Sequence, residues 1–165
     1  MDPTIRRMDA AEAPALAAFG EACFREAFRE HFAPAAMDAL CAQVFALPVM
    51  AGLIRTGAWV AGDWQGYVAL GETPCPFGGL APPTAEVARL YVLRRWQGTG
   101  TADLLMARAA REARERRHRS LWLQAFGGNP RALAFYRRWG FRDYGPCGVA
   151  CAGLLLPHRM MGRDL

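Results

Sequence analysis

The stretch from Glu86 to Ala125 limits the possible folds of this chain more than any other. Glu86-Val87-Ala88-Arg89-Leu90-Tyr91-Val92 reads as a strand, Thr101 to about Arg117 as a long helix, and Leu121-Trp122-Leu123-Gln124-Ala125 as another strand. A strand, a crossover helix and a strand in one sheet leave the two strands parallel. The flanks follow a different pattern. Trp59-Val60-Ala61 and Tyr67-Val68-Ala69-Leu70 surround a Gly62-Asp63 turn, and strand-like runs at about 143–151 and 153–163 close the chain. Both read as hairpins, which are antiparallel. The sheet is therefore expected to be mixed, and the class α+β.

The remaining segments complete the plan. Residues 3–8 read as a short strand. Residues 11–30 read as a helix, with Leu16, Phe19, Cys23 and Ala27 at three- and four-residue steps and Phe24 and Phe28 beside them. Pro34 opens a second helix reaching about Leu47, a position that suits proline, with Met37, Leu40, Cys41, Val44 and Phe45 on one side. Asn129 to Trp139 reads as the last helix, and Gly140 is a natural stop for it. In the long helix Leu104, Leu105, Ala109 and Ala113 point inward. The expected order is β-α-α-β-β-β-α-β-α-β-β in a single domain, 1–165, with no repeat or linker.

Composition removes several chemistries. All 20 Lys+Arg positions are Arg. Without Lys there is neither a Walker-type phosphate loop nor a Schiff base. The one serine, Ser120, lies outside any Gly-x-Ser-x-Gly turn, which argues against a serine hydrolase. The five cysteines, Cys23, Cys41, Cys75, Cys147 and Cys151, are odd in number and never spaced CxxC. With no apolar leader after Met1-Asp2-Pro3, free thiols and a reducing, cytoplasmic setting are expected. Cys147, Cys151 and His158 fit no standard metal spacing, so no metal is expected. No apolar run approaches the ~20 residues of a membrane span. The net charge of +5 resides largely in Arg108, Arg111, Arg114, Arg116, Arg117 and Arg119, interleaved with Glu112 and Glu115. That pattern suits a solvated helix face, so nucleic acid is not the expected partner. Self-association as a homodimer stays open.

The turn Arg94-Arg95-Trp96-Gln97-Gly98-Thr99-Gly100-Thr101-Ala102 joins the first parallel strand to the long helix. Its glycines permit tight backbone and close approach of a ligand. The free N–H groups of the helix's first turn form an anion site suited to a pyrophosphate. Arg94 and Arg95 would add charge near a further phosphate. A Rossmann fingerprint is incomplete, because Asp103 stands where the third glycine belongs. A plain glycine-rich turn with no ligand is the other reading of the same residues.

The run fits Gln-x-x-Gly-x-(Gly/Ala), with Gln97, Gly100 and Ala102. After the next strand comes Asn129-Pro130-Arg131-Ala132-Leu133-Ala134-Phe135-Tyr136-x-x-x-Gly140-Phe141. Together these motifs resemble the GNAT (Gcn5-related N-acetyltransferase) superfamily, from the Trp59 hairpin to the C-terminus. Glu86 to Val92, Met160-Met161-x-Arg163-x-Leu165 and Phe24/Phe28/His31/Phe32 loosely resemble its spermidine/spermine (PaiA-like) branch. The resemblance implies an α/β/α fold: a mostly antiparallel seven-stranded sheet, parallel splayed strands 4 and 5 at its centre, and about four flanking helices. It implies acetyl-CoA as cosubstrate and an amine as acceptor. The amides of Gln97, Gly98, Thr99, Gly100, Thr101 and Ala102 would hold the pyrophosphate. Main-chain groups of Leu90, Tyr91 and Val92 would pair with the pantetheine arm, and the Val92 N–H would face the oxyanion.

Tyr136, seven residues after Asn129, matches the family's general acid, and Asn129 suits both a helix N-cap and a pantetheine contact. Glu86 is the candidate base. His31 is a further candidate, and Gln124 occupies a place where other members carry a glutamate. The first two helices and the loop before strand 4 would shape the acceptor pocket, where Glu26, Glu30 and Glu72 either attract a cationic amine or are plain surface charge. No cysteine holds a position that the resemblance marks as catalytic. The implied activity is direct acetyl transfer to a small amine such as a polyamine, amino acid or drug amine. The alternatives are peptide N-acetylation and a non-catalytic acyl-CoA-binding module.

Overall fold

The computed structural model describes residues 3–165, so Met1-Asp2 lies outside the described residues. In chain order the elements are β1 (Ile5–Arg7), α1 (Ala13–Phe28), α2 (Pro34–Val44), α3 (Leu47–Gly57), β2 (Ala58–Ala61), β3 (Gly66–Gly71) and β4 (Thr84–Val92). Then follow α4 (Thr101–Glu115), β5 (Ser120–Phe126), α5 (Pro130–Arg138), β6 (Arg142–Cys151) and β7 (Leu154–Asp164). The seven strands run in the order β1-β2-β3-β4-β5-β7-β6. β4 and β5 are the parallel pair that the crossover helix demands, and both hairpins are antiparallel. The mixed α+β sheet is as the sequence predicts.

Five α-helices flank the sheet rather than four. α3 is the unexpected one. Its sequence, Leu-Pro-Val-Met-Ala-Gly-Leu-Ile-Arg-Thr-Gly, is apolar almost throughout, so it lacks the polar half that makes a helical period visible. Pro48 stands in its first turn, a place where proline starts helices rather than ending them. In α1 the buried side is Leu16, Gly20, Cys23, Phe24 and Phe28, whereas Ala27 is exposed. The stripe is thus carried by Leu16, Gly20, Phe24 and Phe28, and Ala27 lies beside it. A Cβ on Gly20 would lie 2.6 Å from the Phe45 ring, so glycine allows the close approach of that ring.

By their contacts the residues fall into two compact units, Met1–Leu70 with Arg89–Ala109, and Gly71–Ala88 with Ala110–Leu165. The dividing points fall within or beside β3, β4 and α4, not in linkers.

The first unit is centred on Leu16, Leu40, Met50, Trp59, Tyr67, Leu105 and Met106, all fully buried. Each such side chain contributes roughly 1.5–3 kcal/mol relative to exposure. Arg108, one of the arginines expected to be solvated, lies over the Trp59 ring at 4.7 Å. In the second unit β5 pairs with β7 along its whole length, and Leu121, Trp122, Leu123 and Met161 are fully buried. The chain's single serine is structural here. Ser120 Oγ lies 2.7 Å from both Ala81 O and Asp164 Oδ1, tying the loop before β4 to the end of β7. All five cysteines are free thiols, as expected. Among the described residues no single helix is long and apolar enough to cross a membrane.

β1 is secured to the start of α1 by an ion pair. Arg6 donates to both Glu12 oxygens, at 2.9 and 2.7 Å, and the Asp9 N–H donates to Glu12 as well. These bonds, Arg6 first, hold the Glu12 carboxyl at about 2. A depressed carboxyl contributes stability above its unfolded value, near ~4.3, and loses it as pH falls through the folded one. The pair is partly exposed, so its contribution is about 1 kcal/mol or less. Glu12→Gln should therefore flatten the stability profile between pH ~4.5 and ~2, followed by urea unfolding at each pH. An unchanged acid slope would contradict this.

Candidate active site

The turn after β4 is built to present main-chain N–H groups. Residues Arg94–Trp96 form a single 3-10 turn, closed by the Gln97 N–H donating to Arg94 O at 3.2 Å. The Gln97 side chain turns back, and its Nε2 donates to Val92 O at 3.0 Å. Gln97 thus closes the turn with its main-chain amide and fastens it to the end of β4 with its side-chain amide. Gly98 and Gly100 follow with φ of 85° and 93°, a region L-residues rarely adopt. The first helical bond of α4 runs from the Leu104 N–H to Gly100 O at 3.0 Å. The Thr101 and Ala102 N–H groups therefore have no acceptor within the helix, and the positive end of its dipole lies behind them.

Other groups define what this turn can hold. Thr99 Oγ1 donates to Trp96 O at 2.8 Å and lies 3.0 Å from Thr101 Oγ1. Arg94 and Arg95 are exposed beside the turn, and Asp103 is the acid in the first turn of α4. A Cβ built on Gly100 meets nothing within 4 Å. Open space, unpaired donors and flanking arginines fit an anion such as a pyrophosphate. Since that space is open, only the backbone conformation demands glycine at position 100. Gly100→Ala should lower stability by about 1–2 kcal/mol in urea unfolding, the cost of a left-handed residue. Unchanged stability would contradict the positive φ.

The end of β4 is held just as closely. A Cβ on Gly66 of β3 would lie 2.7 Å from Tyr91 O and 2.9 Å from Val92 Cγ2. Only glycine lets the backbone at Tyr91 and Val92 come this near. The Leu93 N–H donates to Gln65 O at 3.0 Å, and the Tyr91 ring packs tilted at 5.6 Å from Tyr67 and 6.2 Å from Phe45. Burial pushes the Tyr91 hydroxyl above its ordinary range. The first unit thus gathers Leu90, Tyr91, Val92 and Gln97 to Ala102 at one strand end and helix start.

The second unit carries the other candidates. Asn129 is the N-cap of α5: its Oδ1 accepts from the Ala132 N–H at 3.1 Å. Tyr136, on the same helix, is half-buried between Phe135 and Phe141, at ring distances of 5.5 and 5.7 Å. Glu86 is half-buried on β4, and its carboxylate lies where a Cβ of Gly71 would be. In the parallel ladder Glu86 stands opposite Trp122, following the rungs Thr84 to Ser120 and Ala85 to Leu121. Beyond it each strand runs on to its own end, at Val92 and Phe126.

The remaining candidates are less equipped. His31 lies exposed in the turn between α1 and α2, beside Phe28 and Phe32. Gln124, Glu26, Glu30 and Glu72 are exposed. Phe77 packs onto Tyr144 at 4.5 Å and onto Trp122 at 6.2 Å. Cys147 faces His158 across β6 and β7, and burial lowers the affinity of that imidazole for a proton. Among the described residues no three His, Cys, Asp or Glu side chains converge on a metal position. Sequence reasoning gave no role to Gly66 and Gly71. Their one signal is an isolated glycine at a strand end, which marks close approach of a neighbour.

Residues 18–141 match the Acetyltransferase (GNAT) family. The PaiA N-acetyltransferase of Thermoplasma acidophilum, solved with coenzyme A, superposes over 100% of both chains with a TM-score of 0.78 at 12% identity. YncA of Salmonella typhimurium, a putative acetyltransferase solved with acetyl-CoA, matches at 19% identity and a TM-score of 0.69, covering 99% of this chain and 94% of its own. The ribosomal-protein-alanine N-acetyltransferase of Brucella melitensis matches at 25% identity and 0.69, covering 98% and 99%. With most of its length matched to the family and its fold shared with these proteins, the chain belongs to the GNAT acetyltransferases, enzymes that take an acetyl group from acetyl-CoA.

Proposed function

We propose that this enzyme transfers acetyl from acetyl-CoA to a primary amine of a small molecule, by direct attack in a ternary complex. The observation that carries the reading is the turn Gly98–Gly100 at positive φ with the head of α4 behind it, whose first helical bond starts only at the Leu104 N–H. In a chain without lysine its N–H groups bind the pyrophosphate of the cosubstrate, aided by Arg94 and Arg95. Gln97 contributes by holding the turn to Val92 O. The main chain of Leu90, Tyr91 and Val92 pairs with the pantetheine arm as an added strand would. The Asn129 side chain offers Nδ2 to the same arm while Oδ1 caps α5.

Each chemical step then has a residue. An alkyl amine with a pKa near ~10 is mostly protonated at neutral pH, so a base must take a proton before it can attack. Glu86 is that base. As the amine nitrogen bonds to the thioester carbon, charge develops on the carbonyl oxygen and the Val92 N–H donates to it. When the carbon–sulfur bond breaks, Tyr136 gives its phenolic proton to the departing thiolate. Five cysteines with none in the turn or among these groups support direct attack over an acetyl-enzyme. Gln124, which has no basic group, weakens the alternative of a peptide N-terminus acetylase with a base on β5. A non-catalytic acyl-CoA-binding module would have no use for Tyr136 and Glu86 together.

Thiol release from acetyl-CoA across a panel of amines tests the reading. Turnover with a small amine is expected, and coenzyme A binding without turnover on any amine would contradict it. Tyr136→Phe should lower kcat by about 10²–10⁴-fold with cofactor affinity nearly unchanged. An unaltered kcat would remove Tyr136 as the acid. For Glu86→Gln, activity should fall at neutral pH and recover as rising pH deprotonates the amine unaided. A loss that stays equal at all pH values would exclude Glu86 as the base.

A further inference from the structure

The end of α5, the start of β6 and the end of β7 surround a cleft. It measures about 380 Å³ and is lined by Arg138, Trp139, Gly140, Arg142, Arg163 and Asp164. That volume falls in the range of small-ligand sites. Three guanidinium groups and one carboxylate line it, which leaves an excess of two positive charges. Each arginine is held. Arg163 donates from Nη1 to Trp139 O at 2.6 Å and from Nε to Asp164 O at 3.1 Å. Arg138 lies over the Phe135 ring at 5.3 Å. Arg142 lies over the Tyr144 ring at 5.7 Å and 3.9 Å from Asp164 Oδ2. Asp164 Oδ1 is engaged elsewhere, by the Ser120 hydroxyl and the Ala81 N–H. A helix C-terminus repels anions through its last carbonyls. Here Tyr136 O accepts from the Phe141 N–H, Arg137 O from the Gly140 N–H, and Trp139 O from Arg163. The guanidinium groups therefore set the sign of the cleft.

We propose that this cleft binds a small phosphomonoester carried on a ring, at a site separate from that of acetyl-CoA. The inference does not depend on which amine accepts the acetyl group. Asn129 stands at the other end of α5, and the nine residues of that helix rise about 14 Å. On the neighbouring strands the cleft lies at the Ser120–Asp164 rung. Asn129 bonds to Phe126 O, at the far end of that ladder. The charge fits the ligand, because a phosphomonoester carries about −1.5 to −2 at neutral pH. Its oxygens accept from Arg138, Arg142 and Arg163, whose planar forks suit phosphate. Trp139 gives the ring an apolar surface to lie against. A cleft bounded by Asp164 receives one phosphate and its substituent rather than a run of phosphates along a backbone.

Phenyl phosphate titrated into the intact, isotopically labelled enzyme tests this, with amide NMR as the readout. Saturable shifts at Arg138 to Arg142 and Arg163 are expected. The Kd should be on the order of 0.1–1 mM, as two or three charge-assisted hydrogen bonds give. Saturating coenzyme A should leave that Kd unchanged. Arg138→Gln and Arg142→Gln, both at exposed positions, should each weaken binding about tenfold, the loss of one such bond. Arg111→Gln, which removes one exposed charge from α4, should leave binding unaltered. Benzoate, a ring with a single charge, should bind more weakly than phenyl phosphate. Shifts that do not saturate, or that fall only on other residues, would overturn the proposal. So would displacement of phenyl phosphate by coenzyme A, or a loss with Arg111→Gln as large as with the cleft variants. A short single-stranded RNA that shifts the same amides at lower concentration than phenyl phosphate would overturn the small-ligand assignment.

Discussion

The head of α4 is the constraint on which this enzyme depends. A helix cannot satisfy its own first N–H groups, and most proteins cover them with a capping side chain or water. Here two glycines at positive φ carry the chain into α4, and the first internal bond starts only at Leu104. A cluster of donors with a positive dipole behind it can hold a polyanion without lysine. The surrounding sequence keeps that cluster in place. Gln97 spends both amides on it, the Thr99 hydroxyl is bonded to Trp96 O, and Thr101 is buried at the helix start.

Glycines in the strands perform a related service. Gly66 lets the Tyr91 carbonyl and Val92 come within distances that any Cβ would forbid, and Gly71 leaves room for the Glu86 carboxylate. In both cases a group is positioned by what its neighbour lacks. Absence also explains the lone serine and asparagine. Ser120 joins a loop to the last strand, and Asn129 closes the first turn of α5. Each occurs where a short polar side chain is needed for structure.

Much of this was legible in the sequence because it rests on local rules. The crossover helix makes β4 and β5 parallel, Pro34 and Gly140 punctuate helices, and Gly98 and Gly100 announce a turn with unusual backbone angles. Features set by distant contacts were harder to read. α3 hides in an apolar run with no period, and Ala27 lies off the buried stripe even though its spacing from Cys23 looked right. Gln97 reads as a cofactor amide in the motif, yet its bonds go to Arg94 and Val92. Trp122 is only one more apolar residue in a strand until register sets it opposite Glu86 and burial leaves its N–H without an acceptor.

The central claim is that main-chain amides at the head of α4 bind the pyrophosphate of acetyl-CoA. The most direct test is a titration of isotopically labelled enzyme with coenzyme A, followed by amide NMR shifts. Saturable shifts are expected, largest at Gly98 to Ala102, with inorganic pyrophosphate reproducing them in part and leaving Leu90 to Val92 unmoved. Binding of coenzyme A that leaves the amides of Gly98 to Ala102 unperturbed, or no binding at all, would contradict it.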